Sequence, residues 1–289
     1  MPAGRGEIPA ENAALGRLHA HTLATDPARF WVADGGSRLD AFGSAVVRDD
    51  LWFLSMLFVR PGAQARGLGK ALLERIGAAP GRGVSSDGGV RATATDAGQP
   101  TSNGLYGSLG LVPRLPLFNL VGRPRDGAVL PNLPSGISVS RVEPADTAWR
   151  TGGTTGAGGL QAEIDALDRS VLGFTRAIDH AYIRSEGRTA FVFRGSNGAV
   201  VGYGYTSAVG RLAPVTVTDP ALLAPVVAHL LTVLPPRGAS ALWVPGAADA
   251  LFVMLVGAGL RIEDLPVLLC WDRPFADWSR AIPISPGLL

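Results

Sequence analysis

A single cysteine, Cys270, stands in the 289 residues, so no internal disulfide can form. That scarcity suits a reducing cytoplasm, which is the compartment expected here. Lysine is as rare, with Lys70 the only one beside a chain full of arginine. Histidine occurs at His19, His21, His180 and His229. His19 and His21 are two apart and diverge on a helix, and there is no H-E-x-x-H, so no metal site is expected. No window approaches the roughly 18 uninterrupted apolar residues of a membrane helix. Met1–Glu11 has no apolar core of signal length, so no membrane partner is expected. The net charge is +2 without a basic stripe, so nucleic acid is not an expected partner either.

A 47% hydrophobic and 17% charged composition marks a core-forming chain rather than a disordered one. The 38 glycines and 22 prolines fall between periodic segments, which reads as loop-rich rather than low-complexity. The length is comfortable for two domains.

One stretch organises the chain. Leu51–Val59 (L-W-F-L-S-M-L-F-V) is an apolar run bounded by Asp49-Asp50 and Pro61-Gly62, as suits a strand buried on both faces. After Gln64-Ala65-Arg66-Gly67-Leu68-Gly69, apolar residues recur at Leu68, Leu72 and Ile76, one helical stripe. Strand, glycine turn and helix place the unpartnered first amides of a helix, and the positive end of its dipole, where a phosphate can sit. Gly67 and Gly69 lack a Cβ and let a diphosphate approach the backbone. Lys70 is followed by Ala71, so this is not a G-K-[ST] P-loop, and G-x-G-x-x-G is missing.

The pattern V-R-P-x-x-Q-x-x-G-x-G-K-x-L-L resembles the acyl-CoA pyrophosphate loop of the GCN5-related N-acetyltransferases (GNAT family), whose signature is [QR]-x-x-G-x-[GA]. About forty residues later, S-N-G-L-Y-G-S-L-G-L is similar to that family's N-x-x-Y-x-x-x-G-[FL] pattern. The resemblance implies a donor held by amides of Gln64, Ala65, Arg66, Gly67, Leu68, Gly69 and Lys70. It implies a carbonyl-polarising amide in a strand bulge near Phe58, with Leu57 and Val59 beside the donor. Tyr106 becomes the acid that protonates the leaving thiolate, and Asn103, three residues earlier on the same helix face, a pantetheine contact. The implied co-substrate is acetyl-CoA or another acyl-CoA, and the acceptor a small-molecule amine. A donor on an acyl carrier protein's phosphopantetheine stays open, as do a homodimer and a non-catalytic binding module. The base is not legible: Leu51–Val59 holds no carboxylate, and Ser55 is its only polar side chain. His19 and His21 are candidates to face the acceptor.

The remaining pattern predicts helix 12–24, strands 29–33 and 39–48, strand 90–95, a helix ending at Gly110 and an irregular strand pair over 111–121. This gives an α/β class (an α+β mixed sheet), with the sheet splayed open beside the glycine loop as the resemblance implies. The family's leading strand is missing at the front, or is supplied elsewhere, as by the C-terminal segment. Residues 123–136 read as a linker between an N-terminal domain, 1–122, and a C-terminal one, 137–289. In the second half, strands are predicted at 137–142, 189–194, 199–207, 211–217, 241–244 and 267–271, and helices at 160–172, 220–234 and 247–258. The same order repeats, so the chain reads as two tandem GNAT-like domains, each a splayed mixed sheet flanked by helices. The second unit has no glycine loop. Asp219 stands at the helix start there and repels phosphate, so this unit is expected not to hold acyl-CoA. Asp165, Asp168 and Asp179 read as a solvated face, and Trp31, Trp52, Trp243 and Trp271 as core.

Overall fold

The computed structural model describes residues 11–77, 89–149 and 159–289. The first ten residues, expected to hold no signal segment, lie outside these, as do the end of the loop helix, expected to run to about Ala79, and most of the polar loop expected over 80–89. The chain divides into two compact units: residues 1–115 with 267–274 and 286–288, and residues 116–266 with 275–285 and 289. Residues 123–136, read from sequence as a linker, lie inside the second unit. Ala128, Leu130 and Leu133 pack against its core, and the Arg125 amide donates to Ala258 O at 2.8 Å.

In the first unit, helix α1 (Glu11–Thr25) precedes strands β1 (Phe30–Asp34), β2 (Leu39–Arg48) and β3 (Leu51–Val59). These three strands pair antiparallel. Helix α2 (Leu68–Arg75), strand β4 (Val90–Asp96), helix α3 (Pro100–Ser108) and the start of strand β5 (Val112–Gly122), which from Pro116 on belongs to the second unit, follow. The continuous apolar start of β3 is buried residue by residue from Leu51 to Ser55, as its lack of alternation implies. Trp52, Leu54, Leu73, Ile76 and Leu111 form one core cluster with Tyr106 and Cys270. The Trp52 indole donates to Ile76 O at 3.1 Å, which satisfies its one polar atom without water. Trp31, expected in the core, is 39% exposed instead, because β1 is an edge strand and this position turns outward. The predicted irregular pair over 111–121 is a single strand, and both prolines precede Leu117, where its pairing with the strand Ser240–Pro245 begins.

The second unit runs β6 (Ser138–Val142), α4 (Gly159–Leu172), α5 (Ala177–Ser185), β7 (Thr189–Arg194), β8 (Val200–Thr206), β9 (Val215–Val217), α6 (Leu223–Val233), β10 (Ser240–Pro245), α7 (Asp249–Ala258), β11 (Arg261–Trp271) and β12 (Ala281–Ile282). The order β12-β9-β8-β7-β6 makes one antiparallel sheet. The C-terminal half of β11 belongs to the first unit, where Val267–Trp271 pairs antiparallel with β4. A late segment does therefore enter the first sheet, but beside β4 rather than as the missing leading strand.

Sequence reading missed α5, and with it the partner of α4. Asp168 and Asp179 are buried, not solvated. Arg176 Nε donates to Asp168 Oδ2 at 2.9 Å, and His180 Nε2 lies 2.9 Å from the same oxygen. The Tyr203 and Thr216 hydroxyls donate to Oδ1. Burial alone would raise the Asp168 carboxyl, but the Arg176 charge and the His180 bond outweigh it and hold the group well below its usual range. A buried ion pair adds little against an apolar substitute, yet breaking it strands a charge. Asp168→Asn should therefore cost about 3–5 kcal/mol in urea unfolding. Because the folded carboxyl titrates low, its stabilisation is present above the ordinary aspartate range and is lost as pH falls below about 4. The variant should lack that part of the acid dependence. A cost under about 1 kcal/mol would show that the network is dispensable.

Candidate active site

The two parallel strands of the first unit share hydrogen bonds for only part of their length. β3 pairs with β4 from Leu51–Val90 to Leu54–Thr93, and the Thr93 hydroxyl closes the last step by donating to Leu54 O at 3.2 Å. Beyond this point β4 keeps its pairing with β11 through Asp96, while β3 continues alone to Val59 on that side. A cleft opens between them.

At its apex β3 carries an extra residue. Ser44 faces Met56 and the next residue, Ala45, faces Leu54, so Ser55 has no partner on β2. A bulge of this kind bends the strand and turns backbone groups out of the ladder. The family resemblance placed the bulge near Phe58; the register puts it at Ser55, three residues earlier. The Ser55 hydroxyl donates to Gly287 O at 2.6 Å, and a Cβ on Gly287 would lie 3.1 Å from Leu18 and 3.2 Å from Met56. Residues 286–288 thus brace the bulge from the α1 side.

The glycine loop forms at the far end of β3. A short 3-10 turn, Pro61–Ala63, leads to Gln64, whose Nε2 donates back to Val59 O at 3.0 Å and ties the loop to the strand. Ala65 (φ 60°) and Gly67 (φ 80°) both take left-handed backbone, and Gly67 caps α2. The first bond of the helix is Ala71 N to Gly67 O at 3.0 Å, which leaves the amides of Leu68, Gly69 and Lys70 without a helical partner. A Cβ added to Gly69 would point at Leu105 (3.6 Å), Val59 (3.8 Å) and Leu57 (3.9 Å). The loop therefore stands where the end of β3 meets α3, with the exposed Arg66 and Lys70 beside it. An acidic carrier-protein donor would need an arginine patch such as Arg60, Arg66 and Arg75; Arg60 is paired with Asp40 at 2.8 Å and Arg75 lies 5.3 Å over the Trp31 ring, so two of the three are engaged within the unit.

On α3, Asn103 Nδ2 donates to Asp96 O (3.1 Å) and Gln99 O (2.9 Å), bracketing the end of β4 to the helix. Its Oδ1 is buried without a partner and is available to an N–H donor. Tyr106 is 5% exposed. Burial, with the Cys270 thiol beside it, pushes its phenol above the ordinary range, so it holds its proton and keeps an O–H to donate. Burial pushes the Cys270 thiol up to about 12, which makes it an inert packing group.

His19, a candidate to face the acceptor, and Ser44, which sequence reading did not single out, lie on the α1 side of the apex. His19 Nε2 sits 3.0 Å from Met56 Sδ. Ser44, opposite Met56, has a buried hydroxyl with no partner. The only earlier signal for His19 was that it lay on a helix able to face the acceptor; Ser44 gave none.

The second unit repeats the element order without the cleft. The position beside β9 is filled by β12, with Ala281 facing Thr216 and Ile282 facing Val215, both fully buried. Asp219 accepts from the Ala221 amide at 2.8 Å, so an acid occupies the turn that in the first unit presents bare amides. A 260 Å³ hollow at the starts of α6 and α7 is lined by alanines, Leu223, Leu251 and Asp249, with no cation. Among the described residues no cluster of three or more metal-ligating side chains occurs, and no helix is long and apolar enough to cross a membrane.

Residues 5–110, which span the glycine loop and α3, match the acetyltransferase (GNAT) family. No curated protein matches the sequence. Among solved structures, a Pyrococcus horikoshii protein superposes with a TM-score of 0.68 at 13% identity, covering 97% of this chain and 85% of that one. A GCN5-related N-acetyltransferase from Sphaerobacter thermophilus follows at 0.54 and 15% identity, over 88% and 84%. At these identities the likeness is one of fold. Cleft, loop and family match coincide on one segment, within residues 5–110.

Proposed function

We propose that the first unit moves an acetyl or other acyl group from a CoA thioester to the amine of a small molecule. The observation that carries this reading is the pairing of an open β3/β4 cleft with three unpartnered amides, Leu68, Gly69 and Lys70, at its mouth. Such amides at a helix start suit a diphosphate. A pantetheine arm then fits along Leu57 and Val59 toward the bulge, with the Asn103 Oδ1 as acceptor for one of its amides. The amine nitrogen forms a bond to the acyl carbon, the carbon–sulfur bond breaks, the amine gives up one proton and the thiolate gains one. Tyr106 supplies the proton to sulfur, consistent with a phenol that burial keeps protonated. The bulge at Ser55 turns backbone N–H toward the acyl oxygen. The carrier-protein alternative asks for a free Arg60, Arg66, Arg75 patch, and two of those side chains are engaged. The second unit is read as non-catalytic, since β12 and Asp219 stand where a donor would lie.

Acetyl-CoA at about a hundred times its dissociation constant should stabilise the protein by about 2.7 kcal/mol in a thermal-shift series. No shift at millimolar ligand would sink the donor assignment. Tyr106→Phe should lower kcat by about 10²-fold while acetyl-CoA affinity stays level. Full turnover in that variant would make Tyr106 a packing residue only. Gly69→Ala meets only ordinary contacts, so its melting temperature should hold while acetyl-CoA affinity drops by about tenfold. Gly67→Ala, at φ 80°, should instead cost about 1–2 kcal/mol of stability.

A further inference from the structure

We infer that the α1 face of the first sheet is the amine subsite, and that it takes a primary amine carried on an aromatic group, with the ring on Phe42 and Phe58 and the nitrogen at His19. This rests on the acyl-transfer reading above and narrows it to a substrate class.

The face is set by strand parity. Phe42 lies opposite Phe58, and Phe30 opposite Ser44, which lies opposite Met56, so these side chains share one side of the sheet. Phe42 stacks on Phe58 (5.2 Å, 25°) and on Phe30 (6.2 Å, 13°), giving a continuous flat ledge. Leu57 and Val59 face the other way, toward Gly69 and the loop. Donor and ledge therefore reach the bulge from opposite faces. Phe58 is 56% exposed although aromatic, which leaves its ring face open to a second ring.

At the inner end the ledge turns polar. His19 meets Phe42 edge-on at 5.1 Å and Phe30 at 6.4 Å, and its Nε2 reaches Met56 Sδ. A thioether can only accept, so Nε2 carries the hydrogen and the lone pair is on Nδ1. Burial lowers the imidazole's proton affinity, which keeps it neutral with its Nδ1 lone pair free. The buried Ser44 hydroxyl beneath it lacks any partner. Met56, one residue from the bulge, is two residues from Phe58, about 7 Å of strand, the reach of a short aryl-alkyl amine. The next charges along this face, Asp40 and Arg60, neutralise each other at 2.8 Å. The ledge thus recognises the amine by its flat apolar body rather than by charge.

The test is thiol release with acetyl-CoA and two amines, 2-phenylethylamine and n-propylamine. The kcat/KM should favour 2-phenylethylamine by about tenfold or more. Phe58→Ala should erase most of that ratio, while Trp31→Ala, on the opposite face of the edge strand, should leave it intact. Ligand-observed NMR should show 2-phenylethylamine binding in wild type and its loss in Phe58→Ala, independent of turnover. His19→Gln should lower kcat by about 10²-fold for both amines with little change in KM. Equal use of both amines, a ratio indifferent to Phe58→Ala, or a fully active His19→Gln would each overturn the inference. If acetyl-CoA shifts the melting temperature and thiol is released but the preference is absent, only the acceptor class falls. If acetyl-CoA neither binds nor reacts, the transfer reading falls and the subsite with it.

Discussion

Two parallel strands that stop sharing hydrogen bonds after Leu54 and Thr93 leave a row of backbone groups to be satisfied by something other than the sheet. Buried amides and carbonyls without partners are costly, so a fold keeps such an opening only where a ligand or other chain fills it. In the first unit the surroundings of the opening are all arranged at its rim. Val267–Trp271 secures the far side of β4, so that strand does not collapse onto β3. Gln64 and Asn103 each pin a loop to a strand end, at Val59 O and Asp96 O. The side chains that hold the cleft open are thus hydrogen-bonded to backbone, while the groups facing into it are left unspent.

The second unit shows the other solution to the same problem. Here Ala281 and Ile282 enter beside β9 and complete the ladder, and Asp219 satisfies the turn amide from within. Below them, Asp168, Arg176, His180, Tyr203 and Thr216 fill the space with a buried polar network centred on the Asp168 carboxylate. One architecture therefore gives a receptive slot or a sealed one, according to whether the chain supplies its own strand. The contrast also explains why one unit is rich in glycine at its turn and the other is not: a sealed turn has no ligand to admit.

What sequence could show of this followed the range of the interactions. The glycine loop was legible because its causes are local: Pro61 ends the strand, Gly67 permits left-handed backbone, and Leu72 and Ile76 repeat at one turn. Tyr106 and Asn103 were singled out by the family resemblance, and both do lie on the short helix α3. The bulge was not, because an extra residue on β3 exists only relative to β2, and its hydroxyl is met by Gly287, 232 residues away. Asp168 looked solvated because α4 is amphipathic on paper, while its partners sit on α5, β8 and β9. The segments 267–271 and 281–282 were visible only as short apolar runs, and nothing in such a run says which sheet it joins.

Burial acts in opposite senses on the two titratable groups nearest the bulge and yet yields one outcome. It lowers the proton affinity of His19 and raises that of Tyr106, so both are held uncharged near neutral pH. A thioester carbonyl and a free amine are also uncharged, and their reaction separates charge only in passing. On the proposed reading, His19 takes one proton on one face and Tyr106 hands one out on the other. The cleft need not first expel a resident ion, and it keeps the low dielectric in which the backbone dipoles at Ser55 act most strongly.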